Sequence, residues 1–469
     1  MNSIIFFSFA FFLFSFVIIG IASFYKSRST KSDYYIAERT ISPWLVGLSA
    51  VATANSGYMF IGVIGFTYIT GLASIWLMFG WIIGDFLASI FVHSRFRQMS
   101  EINQSLSYGD LLSNWYGKNG EFLQKVIGII SLIFLITYAA AQLIASGKAL
   151  YVLFNWPVWT GALIGSTIIA LYCIFGGIRA SIWTDTVQSI VMFISMLILL
   201  LVALHSLGGI SNSLVKLSSI DGFLNLFPEN LILPGFSGKL LFFLGWIFAG
   251  LSVIGQPHIM VRFMTLDKVE NMGKARLSYY VWFTLFYSFA TGVGLLSRVL
   301  LPENNSFDPE MALPTIALEL LNPFFIGLIF AGIFAATIST ADSLILSCSA
   351  TLTNDLFKKI ASIFYVKVGT LAIIVLSFFI ATTGSKSVFS LVILSWSGLA
   401  SAFAPLLLAY CIGLRPSQRI SLLAIFIGLF ISLIWRYFNF HNQLYEGLPG
   451  ILSGLLILLF FTKNKWKDS

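Results

Sequence analysis

Long apolar runs recur along the chain, separated by short segments that carry charge, Pro or Gly. They bound thirteen predicted helices: 3–25, 42–71, 72–94, 122–152, 157–176, 180–206, 235–256, 274–301, 313–357, 366–383, 386–412, 419–437 and 444–462. A helix of about 20 residues crosses the hydrocarbon core of a bilayer. The runs 42–71 and 313–357 exceed that length and predict breaks, tilts or attached surface segments. The first run lacks a basic n-region and an A-x-A cleavage site, so it is expected to be a retained helix rather than a removed signal.

Two runs are interrupted in a similar way. The second contains Thr53-Ala54-Asn55-Ser56-Gly57-Tyr58, and the seventh contains Gly250-Leu251-Ser252-Val253-Ile254-Gly255-Gln256-Pro257. Gly costs about 1 kcal/mol and Pro about 3 kcal/mol in a helix interior, so both helices are expected to unwind there. The interruptions lie five helices apart, and an odd offset forces opposite orientations across the membrane. That is the pattern of transporters built from inverted repeats, whose broken helices form the binding site near the midplane. The expected architecture is an all-α membrane protein with a leading helix (1–30) and two five-helix repeats (31–206 and 207–412). Two trailing helices and a cytoplasmic tail (413–469) complete it.

Composition agrees: 58% of the 469 residues are hydrophobic and only 10% are charged, which excludes a water-exposed globular surface. The net charge of +8 does not point to nucleic acid, because the basic residues sit in loops between apolar runs. With the N-terminus outside, 21 of the 27 Lys and Arg residues fall on the cytoplasmic side, Arg97, Arg179 and Arg262 among them. An N-out, C-in protein of a cell's inner (plasma) membrane is therefore expected. Cys173, Cys348 and Cys411 lie inside apolar runs without metal-ligand spacing and are expected to be buried hydrophobes.

Ionisable groups at membrane depth are expensive and serve as functional candidates. Asp85, Asp185 and Asp342 stand out. Ser339, Ser343 and Ser347 recur every four residues and share one helical face, with Thr340 beside it and Asp342 three residues from Ser339. Hydroxyls of one helix and carbonyls freed by an unwound neighbour would form an oxygen cage for a hard monovalent cation. Asp185 has an alternative as a helix cap or a partner of Arg179. Asp85 is expected in a structural pairing, and His258 as an interfacial structural residue. No nucleophile–base pair or metal-ligand cluster indicates an enzyme.

Several stretches also resemble a known family. Phe175-Gly176-Gly177-Ile178-Arg179 through Trp183-Thr184-Asp185-Thr186-Val187-Gln188, and Asp33-Tyr34-Tyr35-Ile36-Ala37-Glu38-Arg39, are similar to sequences of the sodium:solute symporter family. Gly255-Gln256-Pro257-His258 through Arg262-Phe263-Met264 is similar to its sodium/proline branch in particular. So is Ser395-Trp396-Ser397-Gly398-Leu399-Ala400-Ser401-Ala402-Phe403-Ala404-Pro405. The resemblance covers about residues 30 to 440. It implies a LeuT-like core of ten helices and a Na+ site at the carbonyls of Ala52, Asn55 and Ala336 and the hydroxyls of Ser339 and Thr340. It further implies a second sodium, found in some members, at Asp185, Ser339, Asp342 and Ser343. The proline branch carries an acidic residue where this chain has Ala54, and two substrate-contacting aromatics where it has Ala249 and Val253. A larger or differently shaped solute than proline would fit the space so left.

Together these features lead to the expectation of a sodium-coupled importer of a small organic solute: an amino acid such as proline, or a related zwitterion or carboxylate. Its pocket is expected to be lined by Ser56, Gly57, Tyr58, Tyr138, Gln142, Ser252 and Gln256. Its partners are expected to be the solute and the lipid bilayer, with no nucleic acid and no obligate protein partner. Proton coupling through Asp185 or Asp342 is one alternative, and a channel or a solute-sensing membrane protein is another. The sensor is disfavoured because no soluble signalling domain is recognisable.

Overall fold

The computed structural model describes residues 3–23, 30–117, 120–301, 307–357, 362–384 and 387–462. Nine of the basic residues used to orient the chain (Lys26, Arg28, Lys118, Lys358, Lys359, Lys386, Lys463, Lys465 and Lys467) lie outside them. Among the described residues the regular structure is all helical, apart from one isolated bridge between Ile41 and Leu266. This follows from the solvent. Lipid offers the backbone no hydrogen-bond partner, so each crossing segment has to satisfy its own N–H and C=O groups.

The first half comprises α1 (Ser3–Ala22), α2 (Lys31–Ile36), α3 (Pro43–Gly57), α4 (Val63–Thr70), α5 (Ile75–Ile102), α6 (Tyr108–Ser113), α7 (Glu121–Phe154) and α8 (Val158–Ser206). The second comprises α9 (Ile210–Ser218), α10 (Gly235–Leu251), α11 (Pro257–Met264), α12 (Met272–Leu300), α13 (Ala312–Leu320), α14 (Pro323–Ala350), α15 (Ile363–Thr383) and α16 (Val388–Cys411). The chain closes with α17 (Gln418–Tyr437) and α18 (Gly447–Phe461). Ten stretches among the described residues are long and apolar enough to cross a membrane; one of them runs from Pro43 to Ile102.

The predicted runs are separated by sharp backbone features. The boundary between runs 42–71 and 72–94 is Gly71, at φ +67°, where the following N–H of Leu72 donates to the Phe223 carbonyl at 2.9 Å. A Cβ on Gly71 would lie 2.2 Å from that carbonyl oxygen, so only Gly fits. The continuous α8 contains two predicted helices, divided by Gly177 at φ +56°. The overlong run 313–357 resolves into the short α13 and the long α14, whose start is capped by Asn322 (Phe325 N–H to Oδ1, 3.3 Å) and set by Pro323. The short helices α2, α6 and α9 lie between the predicted runs and α13 within one, and none of them is long enough to cross a bilayer.

Helix α14 is the hub. It is buried from Ile326 to Ala350 and packs against α1, α3, α7 and α8. Helices α5 and α10 cross at near backbone contact, because Gly80, Gly84 and Gly250 present no side chain there. A Cβ on Gly84 would sit 1.9 Å from the Ile247 carbonyl oxygen. Gly84→Val is therefore expected to force the helices apart and lower stability by about 1–3 kcal/mol. Gly273→Ala, with no neighbouring atom within 4 Å of the added Cβ, serves as the control. Thermal denaturation of the detergent-solubilised proteins distinguishes the two, and a Gly84→Val protein that melts with its parent would disprove the close crossing.

Candidate functional site

The site begins where α3 loses its helical path. Ser56 sits at φ +51°, ψ 179°, which interrupts the i to i−4 hydrogen bonds on either side. Gln142 of α7 compensates: its Oε1 accepts the Gly57 N–H at 2.8 Å. On the carbonyl side, Thr340 Oγ1 of α14 donates to the Thr53 carbonyl at 2.8 Å. Ser339 Oγ lies 3.4 Å from the Ala52 carbonyl oxygen and 3.2 Å from that of Ala336. The Asn55 carbonyl is engaged differently from that of Ala52: it accepts the Tyr58 N–H. The Asn55 side chain donates to the Val51 carbonyl at 2.7 Å, while its own Oδ1 is buried without a hydrogen-bond partner among the described residues. The Thr53 carbonyl, not singled out from sequence, is thus the second backbone oxygen to meet the α14 hydroxyls.

Among the described residues no group of three or more His, Cys, Asp or Glu is placed to hold a metal ion. The oxygens around Ala52, Ala336, Ser339 and Thr340 are carbonyls and hydroxyls, a donor set that suits a hard, weakly charged cation.

One hydrogen bond away lies a buried charge cluster. Thr53 Oγ1 is 3.1 Å from Ser343 Oγ and 3.5 Å from Asp185 Oδ2, which also accepts from Ser49 Oγ at 2.7 Å. Asp342 Oδ1 accepts from Ser181 Oγ at 3.0 Å and Ser343 Oγ at 3.1 Å. Between the two carboxylates stands Arg262 of α11. Its Nη2 is 3.2 Å from Asp185 Oδ2, 3.8 Å from Asp342 Oδ1 and 2.5 Å from Ser181 Oγ, and it also donates to Ser343 Oγ.

Several expectations change here. Arg262, expected as a loop charge, is fully buried, and Arg97 and Arg179 are buried too. Arg179 does not pair with Asp185; it pairs with Asp33 at 2.5 Å, because the chain turns at Gly177 and carries Arg179 toward the loop before α3. His258, expected at the interface, is in the core, edge-on to Tyr138 with ring centroids 5.4 Å apart. Asp85 accepts from Tyr279 and Tyr280 at 2.8 and 2.6 Å. Ser347 takes no part in the cluster.

The residues expected to line the pocket form two groups. Around the α3 break are Ser56, Gly57, Tyr58, Tyr138 and Gln142, with Tyr138 Oη 3.3 Å from Ser56 Oγ. Around the α10–α11 break are Ser252 and Gln256. Gln256 Nε2 donates to the Ser252 and Trp396 carbonyls at 3.1 and 2.9 Å, and Ser252 Oγ is 3.0 Å from Tyr445 Oη. Aromatic rings bridge the groups: Tyr58 to Trp81 at 5.6 Å and Trp81 to Trp396 at 5.2 Å. The Trp396 indole N–H donates to the Ala249 carbonyl at 2.8 Å, so a ring from α16 stands beside the small residue of α10. Trp396 lies in one of the quoted motifs; Phe389, stacked on Tyr58 at 5.4 Å, has no sequence signal. Tyr58 Oη, Gln142 Nε2, Gln256 Oε1 and both His258 ring nitrogens are buried with no hydrogen-bond partner among the described residues.

On the Phe389 side, Phe66 and Phe389 stack face to face at 5.0 Å and line a cavity of about 350 Å³ with Trp246 and Tyr445. Nearby, Lys148 joins Asp308 and Glu310 at 2.7 Å each, and Glu310 accepts the Val388 and Phe389 N–H groups. At the other end of α14, Tyr35 Oη is 2.7 Å from Thr353 Oγ1; burial pushes the Tyr35 phenol up to about 12, so it stays a neutral hydroxyl.

Comparison with known proteins places this geometry. The "high-affinity proline transporter PutP" of Bacillus subtilis (strain 168) is 28% identical over 448 residues, covering 93% of each chain. The "sodium/proline symporter" of Escherichia coli (strain K12) is 27% identical over 474 residues, covering 97% of this chain and 92% of that one. The solved structure of a Na+-coupled sialic acid symporter, in a substrate-bound outward-open state, matches with a TM-score of 0.81 at 17% identity over 99% of both chains. A nucleobase-cation-symport-1 family transporter matches with a TM-score of 0.57 at 17% identity, covering 91% of this chain and 92% of that one. The fold is the LeuT-like one. The model of the sodium:solute symporter family matches residues 34–427, and the chain belongs to that family.

Proposed function

We propose that this protein imports an amino acid such as proline, or a related zwitterion or carboxylate, together with Na+ by alternating access. The observation that carries the reading is the α3 break, beside which the Ala52 and Thr53 carbonyls meet the Ser339 and Thr340 hydroxyls of α14. In this reading sodium is held by the carbonyls of Ala52, Asn55 and Ala336 and by those two hydroxyls, with the Thr53 carbonyl within reach. The solute lies between the two breaks, against Ser56, Gly57, Tyr58, Tyr138, Gln142, Ser252 and Gln256. The unpartnered polar atoms of Tyr58, Gln142 and Gln256 support this, because a solute would supply their missing hydrogen bonds. The repeats comprise residues 31–206 and 207–412, flanked by the leading helix and the two trailing helices. The N-terminus faces outward and the C-terminus the cytoplasm, as the loop charges favour.

The energetics are sufficient. One cation crossing ~100 mV releases about 2.3 kcal/mol. A tenfold gradient adds about 1.4 kcal/mol, and the sum supports roughly 500-fold accumulation per sodium.

Thermal stabilisation of the purified protein by amino acids, betaines, carboxylates and sugars, in sodium and in choline, tests the assignment. A stabilising solute that requires sodium is expected, whereas one that binds equally in choline overturns the coupling. Ser339→Ala and Thr340→Ala are each expected to raise the half-saturating sodium concentration about tenfold, since each removes a cation ligand. A sodium titration that is unchanged in both variants excludes the site.

Gln142→Leu leaves the Gly57 N–H buried and unpaired. It is expected to destabilise the protein by about 1–3 kcal/mol, read as a lower denaturation midpoint. A variant as stable as its parent would show that the amide does not sustain the break.

A further inference from the structure

We propose that Arg262 is a built-in cation: its guanidinium holds the place between Asp185 and Asp342 where a second sodium would bind, so that one mobile sodium completes the charge balance. The proposal rests on the sodium-coupled reading above. Its basis is the position of Nη2, 3.2 Å from one carboxylate and 3.8 Å from the other, with Ser181 and Ser343 hydroxyls as further partners. A covalently attached charge thus already faces one oxygen of each carboxylate and both hydroxyls, while Asp185 Oδ1 and Asp342 Oδ2 have no hydrogen-bond partner among the described residues. Arg262, Asp185 and Asp342 are all fully buried.

Charge counting gives the number of mobile ions. With both carboxylates ionised, two carboxylates and one guanidinium leave one negative charge in a fully buried cluster, and a buried charge requires compensation. The cage at Ala52, Ser339 and Thr340 is adjacent: Thr53 offers its carbonyl to Thr340 and its hydroxyl to Ser343, and Ser343 Oγ donates to the Ser339 carbonyl at 2.7 Å. One sodium bound there brings the cluster to neutrality. A second would leave it positive.

Arg262 sits within two turns of the restart of α11, whereas Asp185 belongs to α8 and Asp342 to α14. The fixed cation therefore also ties the second broken helix to the helices around the first. Unlike a mobile ion it cannot leave when external sodium falls, so the cluster keeps its cation at every sodium concentration. Removing the guanidinium should convert the cluster into a sodium site.

The test is equilibrium binding of radioactive sodium to the purified full-length protein, without solute. The parent is expected to saturate at one sodium per chain, and Arg262→Ala at two. Arg262→Lys keeps the charge and should remain at one; Arg262→Ala combined with Asp185→Asn should return to one. A parent that binds two sodium ions overturns the proposal whether or not the alanine variant folds, and so does Arg262→Lys binding two. A folded Arg262→Ala protein that still binds one also overturns it, while leaving sodium coupling intact. Absence of sodium binding by the parent removes both this proposal and the coupled reading.

Discussion

The hydrogen bond from the Gly57 N–H to Gln142 Oε1 is the interaction on which the centre of this protein depends. A helix in lipid has to satisfy every backbone group, so unwinding one is expensive unless partners are already in place. At Ser56 the positive φ itself costs of order 1–3 kcal/mol for a residue with a side chain. Gln142 takes one freed N–H, and Ser56 Oγ takes another, that of Tyr58, at 3.0 Å. The Ala52 and Thr53 carbonyls meet hydroxyls, whereas that of Asn55 accepts an N–H. A hydroxyl can donate to a carbonyl or rotate and lend its own oxygen to a cation. The same atoms can thus seal the break in the absence of an ion and coordinate one when it arrives.

The second break is sustained by other means. Pro257 brings no N–H, so the restart of α11 leaves one fewer donor to satisfy. Gln256, in extended conformation, uses its amide to hold both the Ser252 carbonyl behind it and the Trp396 carbonyl of α16. Helix α11 then runs against α3 and α14 and carries Arg262 into the charge cluster. The two breaks are thereby linked through a buried ionic network rather than through apolar packing alone. Breaking such a network is strongly destabilising, because it leaves a charge uncompensated. A ligand that alters the charge on one side must therefore be felt on the other.

The helices and both breaks were legible in the sequence because the bilayer imposes them. Apolar runs have to be long, and matched clusters of Gly, Ser and Pro five helices apart mark breaks, where a lone Gly such as Gly84 serves close packing. The α14 hydroxyls that reach the first break were legible from their spacing on one face. The partners of buried charges were not legible. Arg179 is six positions from Asp185 and is its nearest basic residue in sequence, yet the turn at Gly177 sends it to Asp33. Arg262 stands near the end of an apolar run and looks like a loop charge, because sequence does not reveal that the helix restarts at Pro257 and continues inward. The Phe389 ring over Tyr58 is one of 46 phenylalanines in an apolar chain, and only tertiary packing singles it out.

The departure at position 54 has a physical answer in the same cluster. The proline branch is expected to carry an acid there, and this chain has an uncharged, half-buried Ala54. The carboxylate that stands beside α3 belongs instead to another helix. Asp185 on α8 lies 2.7 Å from Ser49 Oγ and 3.5 Å from Thr53 Oγ1, on either side of the Ala52 carbonyl's turn of helix. A charge placed there acts through few intervening atoms and little screening, since the cluster is fully buried. One carboxylate thus touches both α3, through Ser49 and Thr53, and Arg262 of α11. In the proposed sodium-coupled reading, a change at Asp185 bears on the cation cage and on the tie to the second broken helix together.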